Sequence, residues 1–584
     1  MYKFNRLKNT HYNAERKSDM KKRLVQRTVA GFLAGLMLIL ASGCAGNSSP
    51  ASSSGTDTSS GAGSSGGGEG TDSNFNPTGW PVVNEKVNLK VYGSRASNSP
   101  EDWNEFSIFK KMEETTNVHI EWELVEGSTY TERRNVMINS GVYPDVIKDG
   151  LTVTELMRYG SEGIFIPQED LQQQYCPQLM DLYDQQKGLR AINTMPDGHV
   201  YSMPFLSDAP WTGLSREAVI NTDWLEAVDM EMPTTLEEFK DVLIAFRDKD
   251  PNGNGKKDEI PLSWAGASNN KHVSGWGFGL NWLADSFQCP DPDSHLDIVD
   301  GKVTFVPMRE EYKEWVKWLS ELYAEGLLDK NGFTQGTDQY AALLNSTPYQ
   351  VGVASVWDIG DTFTDPDAYD HYDYLPPMKG LDGEDPTPYY SWYAGNAGNW
   401  AITTSCQIPE IAARVGDYCY DKDVSLEMFE GAIGERLVPC TVCNDGRALM
   451  VSDPPEGMDN TTFRNQSGPG GGIQLGVTRD YYKERLHLHY TDRKVKFIDE
   501  EVRPIADKDS VPPLNYTVEE SEIVNQVQTT VIDYVNRRAA EWVMNGKIEE
   551  EWDAYLKELE NMNIDGWMEA AQKSYERFLE AVEE

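Results

Sequence analysis

The stretch Val87-Asn-Leu-Lys-Val-Tyr92, followed by Trp103 to Thr115 and then Val118-His-Ile-Glu-Trp-Glu-Leu124, reads strand, helix, strand. In the two outer segments apolar and polar side chains alternate, the period of an extended chain, whereas Phe106, Phe109 and Met112 recur at helical spacing. A further helix near Thr131 to Ser140 leads into Asp145-Val146-Ile147, a short buried strand. Strands alternating with helices predict an α/β layer built on a parallel sheet. About five hundred residues run from Trp80 to the end, more than one hydrophobic core normally holds.

Outward from that layer, helix signals are clear. Pro233-Thr-Thr-Leu-Glu-Glu-Phe239 carries a capping box, in which Thr235 accepts from the Glu238 N–H and the Glu238 carboxylate returns to the cap backbone. Tyr312, Trp315, Leu319 and Leu322 share one helical face that stops at Gly326. The last eighty residues read as helix throughout, with Trp552, Tyr555, Leu556 and Leu559 at helical spacing.

The N-terminus reads as a targeting segment. Lys21, Lys22, Arg23 and Arg27 precede an uncharged, apolar run to Gly43, and Leu40-Ala-Ser-Gly-Cys44 resembles a lipobox in which Cys44 is lipidated. Residues 1–43 are therefore expected to be a signal peptide. From Cys44 to position 79 the chain is dominated by Ser, Gly, Thr and Ala, a composition that buries no core and behaves as a tether. The whole chain has a formal charge of −42, and its first 44 residues hold nine Lys/Arg against two Asp/Glu, so the remainder is about −49 by subtraction. So acidic a body is repelled by phosphate backbones, which argues against a nucleic-acid partner.

Between Asp248 and Pro261 the sequence Asp-Lys-Asp-Pro-Asn-Gly-Asn-Gly-Lys-Lys-Asp-Glu-Ile-Pro sets side-chain oxygens at every second position around turn-forming glycines. Ca²⁺ takes six to eight such oxygens, so the loop predicts a bound calcium. Two registers compete. Asp248 as first ligand places Glu259 twelfth, as in an EF-hand. Asp250 as first ligand gives Asp250, Asn252, Asn254, the Lys256 carbonyl, Asp258 and Glu259. The loop nearly saturates the ion and runs straight into Ile260-Pro261, so the expected role is structural. Six cysteines follow Cys44, and Cys440-Thr-Val-Cys443 lacks the second pair or histidines that zinc requires; a free pair or simple disulfide is expected.

Several stretches, in order, resemble the extracellular solute-binding proteins (family 1) of ATP-driven (ABC) sugar importers, in particular the LipO-type lipoprotein branch. They are Ser140-Gly-Val-Tyr-Pro-Asp-Val146, Pro196-Asp-Gly-His-Val-Tyr-Ser-Met-Pro204, Asn221-Thr-Asp-Trp-Leu225, Tyr312 to Leu328, Leu375-Pro-Pro-Met-Lys-Gly380 and Glu551-Trp-Asp-Ala-Tyr555. The resemblance implies a two-lobe α/β fold with a hinge, an interlobe cleft and a helical C-terminus. Lobe 1 would comprise residues 80–205 and 397–500, and lobe 2 residues 206–396 and 501–584, with crossings near Tyr201 to Phe205 and Gly398 to Thr404. It also implies the Asp250-first register, because alginate-binding members carry calcium on a near-identical loop. The partners it implies are a carbohydrate, the transmembrane subunits of an ABC permease and, through the lipid, the outer face of the bacterial cell membrane, with the protein a monomer.

Sixteen tryptophans are many, and several stand outside helical stripes. A flat ring offers a large apolar contact to the C–H face of a sugar. Trp211, Trp276, Trp357, Trp392 and Trp400 are therefore the expected ligand contacts, with Arg95, in the loop after the first strand, as a polar donor. Many carboxylates are present, yet none stands in a recognisable hydrolase motif, so binding rather than catalysis is expected; a surface glycoside hydrolase and a peptide-binding or sensor protein on the same fold are the competing readings.

Overall fold

The computed structural model describes residues 74–583, apart from 215–216, 268–272, 274–278, 366, 444–445, 456–457, 459, 488–491 and 507–508. Cys44, the signal and tether segments before residue 74, and Trp276 lie outside the described residues. The strands that frame the body are, in chain order, β1 (Val87–Arg95), β2 (Val118–Glu126), β3 (Val146–Ile147), β4 (Met203–Ser207), β5 (Glu217–Asn221), β6 (Ile260–Ser263), β7 (Val351–Val356), β8 (Tyr372–Tyr374), β9 (Gly395–Asn399), β10 (Ala401–Ile402) and β11 (Leu475–Val477).

Lobe 1 is built on the sheet β10-β3-β1-β2. β1 runs parallel to both β2 and β3, and β10 closes the edge antiparallel to β3. The alternation in β1 buries Leu89 and Val91 completely while Asn88 and Lys90 stay outside. The helix Ser107–Thr116 seats Ile108, Phe109 and Met112 against that face, as its spacing requires, and ends at Asn117 in the left-handed region. Residues from 82–209 and 400–486 share this core.

Lobe 2 is built on β8-β5-β7-β6, with β6 parallel to β7 and β5 antiparallel to both its neighbours. Its core joins residues 218–378 to the C-terminal helices Val518–Asn545, Ile548–Asn561 and Ile564–Glu583. Trp552, Tyr555 and Leu559 are buried there, on the face their spacing marks. At the start of helix Leu236–Asp248, Thr235 accepts from the Glu238 N–H as expected; the Glu238 carboxylate, however, takes the N–H of Thr234, one residue beyond the cap.

The three-stranded sheet β9-β4-β11 packs on the lobe 1 core through Met203, Leu206, Leu475 and Val477. β9 is antiparallel and β11 parallel to β4. One face of this sheet is closed: a Cβ on Gly395 would lie 2.4 Å from Leu189, and one on Gly476 would lie 2.5 Å from Leu182. Phe205 and Asn396, paired in register, take the opposite face and remain half-buried and exposed. Gly398 is at φ +90 with its Cβ position 2.0 Å from the Leu151 carbonyl oxygen, which only glycine tolerates. Residues 492–500, expected within lobe 1, reach both lobes: Phe497 stacks on Tyr374 at 5.0 Å and Lys494 pairs with Glu217 at 2.8 Å, while Asp492 and Asp499 pair with Arg447 and Arg479 at 3.2 Å each. The apolar positions Phe497, Ile498 and Val502 pack with Tyr374, Leu214 and Tyr390.

Candidate ligand-binding cleft and metal loop

In open α/β sheets ligands meet the carboxyl ends of the strands. In lobe 1 those ends carry Arg95 as the last residue of β1 and Lys148-Asp149 after β3. The Arg95 guanidinium donates to the carbonyls of Ala96 and Ser99 and lies 3.6 Å from Glu101 and from Glu126. Its side chain is 9% exposed, so it braces its own loop. Sequence reasoning missed the next group. Lys148 is fully buried, with Nζ donating to Ser94 O (2.8 Å), Asp149 Oδ2 (2.7 Å) and Gly472 O (2.5 Å), and it stands 4.3 Å from the centre of the Trp103 ring. Burial pushes its pKa down, against the opposing pull of Asp149. Asp149 sits at φ +60, and its Oδ2 also accepts from Ser94 Oγ at 2.7 Å. A non-glycine residue in the left-handed region at a strand end is the kind of strain that collects at binding sites.

In lobe 2, Trp357 follows the carboxyl end of β7 and is partly exposed. Lys494 Nζ lies 3.5 Å from its ring centre and donates to its backbone carbonyl. The neighbouring Asp358 is buried and accepts from Tyr369 OH, Tyr374 OH and the Gly360 N–H, which fixes the backbone that presents the indole. Trp211 lies edge-on to Tyr482 at 4.9 Å and lines a cavity of about 510 Å³ with Arg447, Lys483, Leu486 and Asp492. Trp392 is 38% exposed, 4.6 Å from Tyr390, with Arg503 5.4 Å from its ring centre.

Trp400 has a different role from the one expected. It is fully buried in the lobe 1 core and its Nε1 donates to the Ala412 carbonyl at 2.9 Å, so it packs β10 against helix Pro409–Tyr418 and reaches no ligand. The run Trp400-Ala-Ile402, apolar without interruption, is the sequence signal for that burial.

The loop after helix Leu236–Asp248 curls as its composition demands. Asp250 accepts from the N–H groups of Asn254 (3.1 Å) and Gly255 (2.8 Å), and Asn252 Oδ1 accepts from the Asn254 N–H. Asn252 and Asn254 both donate to Asp258 Oδ1, and those bonds hold the Asp258 carboxyl below its usual range. The Lys256 N–H donates to Asn254 Oδ1. Glu259 Oε1 is buried without a hydrogen-bond partner. Burial raises the Glu259 pKa, and the nearby Asp250 and Asp258 raise it further. Asp248 turns away and pairs with Arg247 at 2.8 Å. Among the described residues no three His, Cys, Asp or Glu side chains are gathered to metal-ligand distances. Cys440 and Cys443 form a disulfide, and Cys176, Cys289, Cys406 and Cys419 are free and buried.

Two sheet-centred α/β lobes with aromatic rings beyond the strand ends are the architecture of a small-ligand-binding protein. The chain belongs to the family of bacterial extracellular solute-binding proteins, whose pattern matches residues 94–424. It is 30% identical over 510 residues to the fructooligosaccharide ABC transporter substrate-binding protein FusA of Streptococcus pneumoniae, covering 85% of this chain and 91% of that protein. The structure of FusA in complex with kestose superposes with a TM-score of 0.71 at 30% identity, covering 84% of this chain and 99% of FusA. Lipoprotein LipO of Bacillus subtilis is 30% identical over 229 residues, 38% of this chain and 41% of LipO. An extracellular solute-binding protein of Bifidobacterium longum subsp. infantis shares the fold at a TM-score of 0.73 and 21% identity, covering 84% of this chain and 98% of that one.

Proposed function

We propose that this chain captures an oligosaccharide outside the cell and delivers it to the transmembrane subunits of an ABC importer. The observation that carries the reading is the alignment of nearly the whole body with FusA, a protein named for fructooligosaccharide and solved with kestose. The aromatic rings Trp211, Trp357 and Trp392, set among charged groups already paired with one another, suit a ligand recognised by stacking and hydroxyl hydrogen bonds. The protein acts by binding, and its product is the unaltered sugar. Lipidation of Cys44 would hold it at the outer face of the membrane, with residues 45–79 as the tether.

In the same reading the loop from Asp250 to Glu259 is a calcium clamp in lobe 2. A buried carboxylate oxygen without a partner, with two further carboxylates raising its pKa, is a charge arrangement that a divalent cation relieves. Asp250, Asn252, Asn254, the Lys256 carbonyl, Asp258 and Glu259 would hold it, the two asparagines turning their amide oxygens inward. The pairing of Asp248 with Arg247 favours the Asp250-first register. A FusA structure described as an EF-hand mutant indicates that the relative carries such a loop.

Isothermal titration of the full chain against fructooligosaccharides and other glycans, with calcium and with chelator, tests both parts. Saturable binding without sugar release is the expected result. Turnover, or binding of peptides and no glycans, overturns the reading.

A further inference from the structure

The core of lobe 1 takes its residues from the chain up to Ala209 and again from Trp400 to Leu486. The core of lobe 2 takes its own from Ala218 to Met378 and again from Val524 onward. The chain therefore passes between the two cores three times. All three passages meet in a small apolar cluster of their own, formed by Leu214 from the first, Tyr390 from the second, and Ile498, Val502 and Ala506 from the third. Backbone groups tie the passages as well. The Ser391 N–H donates to the Gly213 carbonyl at 2.8 Å, and the Trp392 N–H donates to Ser510 Oγ at 3.1 Å.

One side chain from lobe 1 reaches all three passages. Arg479 opens the helix Arg479–Arg485, whose Tyr482 lies in the lobe 1 core, and its side chain is buried. Its Nη2 donates to the Thr212 carbonyl at 3.3 Å and to Tyr390 OH. Its Nη1 donates to Asp499 Oδ1 at 3.2 Å. A guanidinium presents its donors in one rigid plane, so partners drawn from three segments are held in one mutual geometry. Rotation of one lobe against the other is absorbed by backbone angles in the segments that join them. With Arg479 in place those angles change together rather than segment by segment.

We propose that Arg479 is a positioning residue for ligand capture: by joining the three passages it fixes the angle at which the lobes face each other, and so raises the share of molecules ready to bind. Arg479 itself touches no sugar. The proposal rests on the oligosaccharide reading for its ligand, whereas the placement of the lobes is independent of that reading. An apparent Kd equals the intrinsic value divided by the competent fraction, so a fall of that fraction to about a tenth raises Kd about tenfold.

The test reads the lobe-to-lobe distance distribution in the full chain by single-molecule energy transfer. Fluorophores are carried on Glu114→Cys in lobe 1 and Asp241→Cys in lobe 2, both exposed helix positions, in a Cys44→Ser background. The remaining free cysteines are buried. Kestose, titrated calorimetrically, is the ligand probe. Arg479→Gln is expected to broaden the ligand-free distribution and to weaken kestose about tenfold. Its Asp499 partner is not stranded, because Lys483 and Arg503 also pair with that carboxylate. Tyr390→Phe, which removes one bond and keeps the ring in the apolar cluster, serves as the milder variant and should broaden the distribution by less. Arg479→Lys retains the charge but does not span three segments, so it should not restore the wild-type width. Distributions as narrow as wild type in both Arg479→Gln and Tyr390→Phe overturn the proposal. Full restoration by Arg479→Lys overturns the role of the fork, and a broadened distribution with kestose affinity within about twofold of wild type overturns the link to binding. A wild-type chain that binds neither kestose nor any other glycan overturns the oligosaccharide reading instead, and the ligand-free distances still decide the role of Arg479.

Discussion

Lys494 Nζ stands 3.5 Å from the centre of the Trp357 ring, and it reaches that position from a helix that lies more than a hundred residues further along the chain. The same ammonium is 2.8 Å from the Glu217 carboxylate, with both side chains buried. One cation thus holds the indole and neutralises the start of β5. Lys494→Met leaves Glu217 buried and uncompensated, which costs about 3–5 kcal/mol. Thermal or denaturant unfolding is expected to show a large loss, and Lys494→Met combined with Glu217→Gln should recover much of it.

The tryptophans are expected to separate into two groups. Trp400→Ala removes a fully buried ring and should cost about 3–5 kcal/mol of stability. A milder Trp400→Phe should leave sugar affinity near wild type. Trp211→Ala and Trp392→Ala, at partly exposed positions, should do the reverse: weaker binding by titration calorimetry with a small change in melting temperature.

Chelation is expected to lower the melting temperature, since a cation that binds only the folded chain at about a hundredfold its Kd contributes about 2.7 kcal/mol. Glu259→Gln and Asp250→Asn should abolish the calcium response. Asp248→Ala should leave it intact, because Asp248 is engaged with Arg247. A calcium response lost in Asp248→Ala would establish the other register.

Asp417 gives a pH dependence of defined sign. Burial raises its carboxyl to about 6, although it accepts from the N–H of Leu179. The folded chain therefore holds this proton more tightly than the unfolded chain does. Its stabilising contribution is full below the unfolded carboxylate range, near pH 4, and is lost as pH rises through about 6. Asp417→Asn should flatten melting temperature against pH across that interval.

Local periodicity carried much of the fold. The alternation in Val87 to Tyr92 and the spacing of Phe109 and Met112 are properties of neighbouring residues, and both resolve as strand and helix. The loop from Asp250 to Glu259 was legible for the same reason: its oxygens are contiguous in sequence. The lobe 1 wall was not. Lys148 and Gly472 are 324 positions apart, and only the tertiary fold sets one donating to the other. Trp400 misled because a tryptophan outside a helical stripe looks free, and its burial depends on a helix that follows it. Residues 492–500 bridge the two lobes through contacts that no local pattern encodes.

The core of lobe 2 draws its first residues from the segment after Ala218 and its last from a helix ending at Glu583. A chain threaded outward from its N-terminus would bring out β5, β6 and β7 long before the three helices that cover their core. Until those helices arrive, Trp315, Leu319 and Trp264 have no complete shelter. The C-terminal helices therefore set the moment at which folding of this lobe can finish, and the interval before it is the time during which exposed apolar surface invites aggregation or proteolysis. Truncation inside the final helix should accordingly be read out as lost yield of secreted protein well before any defect in sugar binding is measurable.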